Sequence, residues 1–186
     1  MEQGPVYRAG FALNITLDIM NITIASISTS HVRGLHACLD TVAREKKYLA
    51  QIEAIPLKRI ESFVQDSVAN DSVQFVTLDG ERVVGWADIF PAWASAVSHC
   101  GTLGMGVLPE YRGRGIGCQL LGASITKAWK NGITRIELEV RADNEHAIKL
   151  YEKFGFIHEA CKRQAMRFDG VYYDALQMCL VADNAV

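Results

Sequence analysis

Six consecutive residues, Arg112-Gly113-Arg114-Gly115-Ile116-Gly117, combine two cations with three glycines. Glycine lets the backbone approach a ligand closely, and arginine donates charge-assisted hydrogen bonds to phosphate oxygens. At the start of a helix the first N–H groups have no intrahelical partner and the dipole end is positive, so the run suits a pyrophosphate. A plain surface turn with two solvated arginines reads equally well from these six residues alone. A third reading is a dinucleotide-binding turn, because Gly113 and Gly115 begin a G-x-G and Glu137 and Glu139 lie roughly 20 residues further on. That reading fails on its own conditions: the third glycine position is Cys118, and a hairpin precedes the run instead of a fresh βαβ unit.

The elements that must position this run follow from periodicity. Ile22 to Ser28 reads as a strand, and Ser28-Thr29-Ser30 offers a cap for a helix carrying Val32, Leu35, Leu39 and Val42. After Pro56, Ile60, Phe63, Val64 and Val68 mark a second helix. Val73 to Leu78 and Arg82 to Phe90 are strands joined at Asp79-Gly80, and Val97 to Val107 is the next strand. A helix from Gly115 to Lys130 carries Ile116, Leu120, Ile125 and Trp129 and stops at Asn131-Gly132. Ile133 to Val140 alternates cleanly, with Ile136, Leu138 and Val140 on one face and Arg135, Glu137 and Glu139 on the other. Asp143 can cap a helix from Asn144 to Phe154, ended by Gly155, and two last strands flank Asp169-Gly170. The order β-α-α-β-β-β-α-β-α-β-β predicts one α/β (α+β) domain over residues 21–186. Residues 1–20 show neither period and are left as an N-terminal arm of uncertain structure.

Bulk properties narrow the partners. A chain of 186 residues with a formal charge of -2 offers no strongly basic face, so nucleic acid is not expected to bind. The apolar stretch Phe11 to Ile27 is broken by Asn14, Asp18 and Asn21 and lacks the flanks of a secretory signal, so no membrane span or export is expected. Five widely spaced cysteines, with no C-x-x-C pair, point to reduced thiols in the cytoplasm and to no metal site.

Val107-Leu108-Pro109-Glu110-Tyr111 followed by the glycine run resembles the cofactor loop of the GCN5-related N-acetyltransferases, with its pattern Arg/Gln-x-x-Gly-x-Gly/Ala. The stretch from Asn144 to Phe156, with Ala147-Ile148 and Tyr151-Glu152-Lys153-Phe154-Gly155-Phe156, is similar to the second signature of that family, at the expected distance. The resemblance covers roughly residues 22–181 and is strongest from Leu103 to Phe156. It implies a mixed central sheet whose fourth and fifth strands run parallel and splay apart, the fourth carrying a bulge. It also implies acetyl transfer from acetyl-CoA to a primary amine of a small molecule, an amino acid or a protein N-terminus. The alternative is a non-catalytic acyl-CoA sensor or interaction protein that keeps the cleft. Family habit and the aromatic last hairpin suggest a homodimer through the C-terminal strands.

The reaction sets demands. An alkylamine with a pKa near ~10.4 must lose a proton before it attacks, the carbonyl oxygen needs a donor, and the departing thiolate needs a proton. The resemblance assigns the pyrophosphate to Arg112, Gly113, Arg114, Gly115, Ile116 and Gly117, and backbone contacts with the acyl arm to Met105 and Val107. The glycines of Leu103-Gly104-Met105-Gly106-Val107 suit an irregular strand. Tyr151 matches the proton donor, although Ala147, Ile148, Tyr151 and Phe154 also form a packing stripe. Asn144 matches a cofactor-arm contact and can equally cap its helix. The general base stays open among Asp88, His99, Glu139 and Asp174, because the strand positions where relatives often place a glutamate are Thr102 and Leu103 here. Acceptor specificity is expected from Lys47 to Ile60 and the last hairpin, with Tyr48, Glu53, Trp86, Trp93, Tyr172 and Asp174 as a polar-aromatic set.

Overall fold

The computed structural model describes residues 22–182, so the N-terminal arm lies outside the described residues. Seven strands form one sheet: β1 (Ile22–Ser26), β2 (Val73–Asp79), β3 (Arg82–Pro91), β4 (Cys100–Val107), β5 (Arg135–Arg141), β6 (Ile157–Phe168) and β7 (Val171–Val181). Their spatial order is β1-β2-β3-β4-β5-β7-β6. Every neighbouring pair is antiparallel except β4 and β5, which are parallel. Four helices, α1 (Val32–Arg44), α2 (Leu57–Ala69), α3 (Ile116–Lys130) and α4 (Glu145–Lys153), complete the order expected from periodicity.

The boundaries move for local reasons. β1 stops at Ser26 because Ser28 turns into a cap, its N–H donating to His31 Nδ1 at 3.1 Å. β4 starts at Cys100 instead of Val97, since Ser95–Val97 close a 3₁₀ turn. The Asp169-Gly170 hairpin has φ of 49° and 87°, the left-handed pair that a two-residue turn of matching twist requires.

Two apolar clusters sit on the sheet. One gathers Leu35 and Val42 of α1, Ile60 and Val64 of α2, and Val76, Val84 and Trp86 of the sheet, and it reaches Ile116 and Leu120 of α3. The other joins Ile89, Leu121, Ile136, Leu138, Tyr151, Phe156 and Met178. Met105 packs against both and so marks their seam. Two predicted stripes are rotated. In α2 Ser67 is buried, while Phe63 and Val68 lie toward solvent; Phe63 stacks on Phe90 with ring centroids 4.9 Å apart. In α3 the buried face is Ile116, Leu120, Leu121, Ser124 and Ala128, so Ile125 and Trp129 sit at its margin.

Candidate active site

The site begins where the sheet comes apart. β4 pairs with β5 only at Cys100↔Arg135, Gly101↔Ile136 and Thr102↔Glu137. Beyond Thr102, β4 continues against β3 as far as Val107, and β5 continues against β7 as far as Arg141. Leu103–Val107 and Leu138–Arg141 therefore turn backbone edges toward a gap that neither strand closes. In a folded interior such groups need partners, so the gap is a place for an extended ligand carrying amides.

α3 starts near the mouth of this gap. Gly115 is its N-cap at φ 77°, and Gly113 has φ 74°. Backbone N–H groups of Gly113, Gly115, Ile116 and Gly117 make no backbone hydrogen bond among the described residues. A Cβ at Gly113 or Gly115 would meet nothing within 4 Å, so left-handed geometry, not crowding, calls for glycine there. Gly117 differs: a Cβ would stand 3.2 Å from Leu150 and 3.6 Å from Met105, so it lets α3 close onto α4 and β4. Unpaired donors at a positive helix end form an anion cradle.

The Arg112 side chain does not add to that cradle. Its Nε donates to the Val107 carbonyl at 2.9 Å and its Nη1 to Glu45 Oε2 at 2.8 Å, and its guanidinium covers the Tyr48 ring at 4.5 Å. It ties the end of α1 to the turn before α3. Arg114 lies over the Tyr111 ring at 5.3 Å. Tyr111 in turn is buried and donates to Asp79 Oδ2 at 2.6 Å.

The two glycines of β4 have a role different from the one expected. The β3–β4 register runs without a break from Gly85↔Val107 to Pro91↔Gly101, so β4 carries no bulge against β3. Instead, a Cβ at Gly106 would lie 2.3 Å from the Trp86 ring, and one at Gly104 would lie 2.9 Å from Asp88 Oδ1. Both are small because β3 side chains cross over them. Sequence periodicity has no signal for such a cross-strand exchange of volume.

α4 and its cap hold the side chains of the second signature. Tyr151 is 8% exposed, packs at 5.7 Å against Phe156, and its hydroxyl has no hydrogen-bond partner among the described residues. Burial pushes its phenol up to about 12. Asn144, not Asp143, caps α4, its Oδ1 accepting from the Ala147 N–H at 3.4 Å. Asp143 is taken instead by Arg141, whose Nη2 donates to Asp143 Oδ2 at 2.7 Å and holds that carboxyl below its usual range.

On the opposite face of the gap, the face of α1 and α2, stand polar groups from several strands. Arg141 is 6% exposed and lies 4.0 Å over the Tyr173 ring. Glu137 pairs with Arg135 at 2.7 Å, and Glu139 with Lys162. Asp88 is half-buried, and burial raises its carboxyl to about 7. His99 is exposed at the closed end of the β4–β5 pair, away from the gap. Asp174 accepts from the Gln164 N–H at 2.8 Å, at the irregular part of β6. The polar-aromatic set does not converge: Trp93 is 98% exposed, Tyr172 is exposed beside Arg167, Glu53 reaches Arg44, and Trp86 is buried. Sequence reasoning missed Glu45, Arg141 and Tyr173; the one available signal was an arginine continuing the polar face of Arg135, Glu137 and Glu139. Among the described residues no group of three His, Cys, Asp or Glu could hold a metal ion, and no helix is long and apolar enough to cross a membrane.

Residues 37–156 match the family model described as the Acetyltransferase (GNAT) family, and the chain belongs to that family. It is similar to the L-amino acid N-acetyltransferase AaaT of Escherichia coli, 36% identical over 107 residues, or 56% of this chain and 64% of that one. It is also similar to the [Ribosomal protein bS18]-alanine N-acetyltransferase of Escherichia coli, 38% identical over 72 residues, or 39% of this chain and 49% of that one. The chain spans smaller shares, 17% and 26%, of two mycothiol acetyltransferases that it also resembles. The solved structure of yncA from Salmonella typhimurium with its cofactor acetyl-CoA shares the fold, with a TM-score of 0.82 at 17% identity over 88% of this chain and 95% of that one.

Proposed function

We propose that the chain is an N-acetyltransferase that moves the acetyl group of acetyl-CoA to a primary amine by direct attack in a ternary complex. The observation that carries this is the parallel strand pair that opens after Thr102, with the unpaired N–H groups of Gly113, Gly115, Ile116 and Gly117 near its mouth. Those groups bind the pyrophosphate, joined by Arg114, while Arg112 braces the turn from behind through Glu45. Backbone groups of β4, at Met105 and at Val107, whose carbonyl is held by Arg112 and whose N–H is not, line the acyl arm and offer the carbonyl oxygen a donor. Asn144 stands at the start of α4 and contacts the same arm. Acetyl-CoA, when bound, supplies an activated acyl group as a thioester.

Tyr151 is the proton donor for the leaving sulfur. With its phenol pushed up to about 12, it stays protonated throughout the working pH range. A thiol ordinarily near ~8.5 would take a proton poorly from so weak an acid. Burial levels the difference, as Cys38 illustrates within this chain, its thiol also raised to about 12 by desolvation. The acceptor enters from the face that carries Asp88, Glu137, Glu139 and Arg141, and is a small amine, an amino acid or a peptide N-terminus. Five unbridged cysteines fit action in a reducing cytoplasm.

Turnover of acetyl-CoA over a panel of amino acids, small amines and N-terminal peptides, read as thiol release, tests the assignment. Acetyl-CoA binding without release on any amine would point to the sensor reading. β6 is an edge strand with Ile157 and its neighbours exposed, beside exposed Val171 and Tyr172, so a second copy pairing there would make a homodimer. Light scattering is expected to give twice the chain mass; a monomer at high concentration removes the dimer.

A further inference from the structure

Acetyl transfer to an ammonium needs a group that takes its proton, and the requirement can be located on the strands, granted the transferase reading above. Thr102 is the last β4 residue paired with β5, and Leu103 turns into the apolar cluster beneath α3. Gly104, the next residue on the acceptor face, has no side chain to offer. Asp88 stands directly opposite it in the β3–β4 register, and its Oδ1 lies 2.9 Å from where a Cβ of Gly104 would be. The carboxylate therefore reaches across onto β4 at the first step of the gap, the place a β4 side chain would otherwise fill. Nearby on the same face, Trp86 covers Gly106, and Phe90 is capped by Phe63 of α2.

We propose that Asp88 is the general base, which takes a proton from the acceptor ammonium above Gly104. The nitrogen lone pair so freed attacks the thioester carbonyl carbon, and the C–S bond breaks as the tetrahedral adduct collapses. Asp88 passes the first proton to solvent. The second proton, shed by the adduct nitrogen, replaces the one that Tyr151 gives to sulfur, so one proton leaves per amide formed.

The surroundings fit a base. Beside Asp88, β2 offers Gln74 and Val76 and β4 offers Thr102 and the two glycines, all uncharged; α1, packed on β3 and β4, turns Leu35, Cys38 and Val42 into the cluster that holds Trp86, and burial keeps the Cys38 thiol neutral. The charged groups of that face are on β5 and β7: Arg135 pairs with Glu137, Lys162 with Glu139 and Arg141 with Asp143, while Asp174 accepts from the Gln164 N–H. Desolvation alone thus sets the Asp88 carboxyl, and it lifts it to about 7. A carboxylate so raised faces a proton transfer from an amine near ~10.4 that is uphill by roughly 3 units, where an ordinary one faces about 6. Gln74, 1% exposed and opposite Asp88 on β2, keeps a side-chain oxygen without a partner.

The test compares wild type with Asp88→Asn on an amine that the wild type acetylates. Expected are a roughly 10²–10³-fold loss in kcat/KM at pH 7 and acetyl-CoA affinity by calorimetry within about twofold. The wild-type profile should rise with an apparent pKa near 7. In the Asn variant that limb should vanish and the residual rate should climb about tenfold per pH unit, as the free amine supplies itself. Gly104→Ala keeps the acid but pushes the carboxylate aside, and a roughly tenfold kcat loss is expected from it. Equal turnover by Asp88→Asn, or a raised amine KM with the pH limb intact, overturns the base while leaving acetyl transfer standing. Failure of the wild type on every amine overturns the transferase reading first, and the base with it.

Discussion

The two sides of the gap between β4 and β5 are built in opposite ways. On the side of α3 and α4, the cradle is backbone: N–H groups at one helix start, from residues adjacent in sequence and set by two left-handed glycines. On the side of α1 and α2, the polar groups are side chains from β3, β5 and β7, brought together only by strand register. A backbone cradle recognises what every acyl-CoA shares. Side chains on separate strands can be exchanged one at a time without disturbing it, so the donor can stay constant while the acceptor varies.

If this division is right, damage to each side should have its own kinetic signature. The largest effect is expected from Tyr151→Phe, which keeps the ring against Phe156 but deletes the proton. kcat should fall about 10²–10⁴-fold with acetyl-CoA affinity little changed. Near-wild-type turnover in the folded variant would mean that solvent protonates the sulfur. Gly115→Asp should do the converse. No atom lies within 4 Å of the added Cβ, so the fold bears only the strain of φ 77°, about 1–2 kcal/mol. An anion then stands in the cradle, and calorimetry should show CoA binding weakened by about 10² or more, from lost donors and charge repulsion together. Unchanged affinity in a folded protein would move the pyrophosphate elsewhere.

The same division explains what the sequence discloses. The glycine run and the Tyr151 helix are contiguous segments whose local geometry has a residue signature, and they carry the family resemblance, while periodicity along the chain carries the element order. The β4–β5 opening came only through that resemblance, since hydrogen bonds that stop at Thr102 leave no periodic trace. Gly104 and Gly106 misled for a related reason. Glycine in a strand signals either a bulge or the close approach of another group, and only the opposing residues, Asp88 and Trp86, tell which. Arg112 likewise has the composition of a phosphate ligand and the surroundings of a brace, because its partner Glu45 sits 67 residues away in sequence.

A smaller effect would sharpen the acceptor side without any substrate. An aspartate raised to about 7 in the fold, against ~3.9 in an unfolded chain, holds its proton through a window where the unfolded chain has released it. Folding stability contributed at Asp88 is therefore greatest below about pH 4, falls as the pH rises from there to about 7, and is level above it. Asp88→Asn has no such titration. Its stability relative to wild type should rise across that window, by about 1–2 kcal/mol once the partial solvent contact of Asp88 is allowed for. Taking the difference between the two proteins cancels carboxylates with the opposite slope, such as Asp143 beside Arg141 and Glu159 beside Arg135, which strengthen the fold as they ionise. Urea unfolding of both proteins at pH 4.5, 6 and 8 measures it. A difference that stays flat would place the Asp88 carboxylate in contact with water like any surface group, and would remove the reason to look for a proton acceptor above Gly104. A difference that grows with pH would show a destabilising charge retained beside the gap, where a reaction needs it.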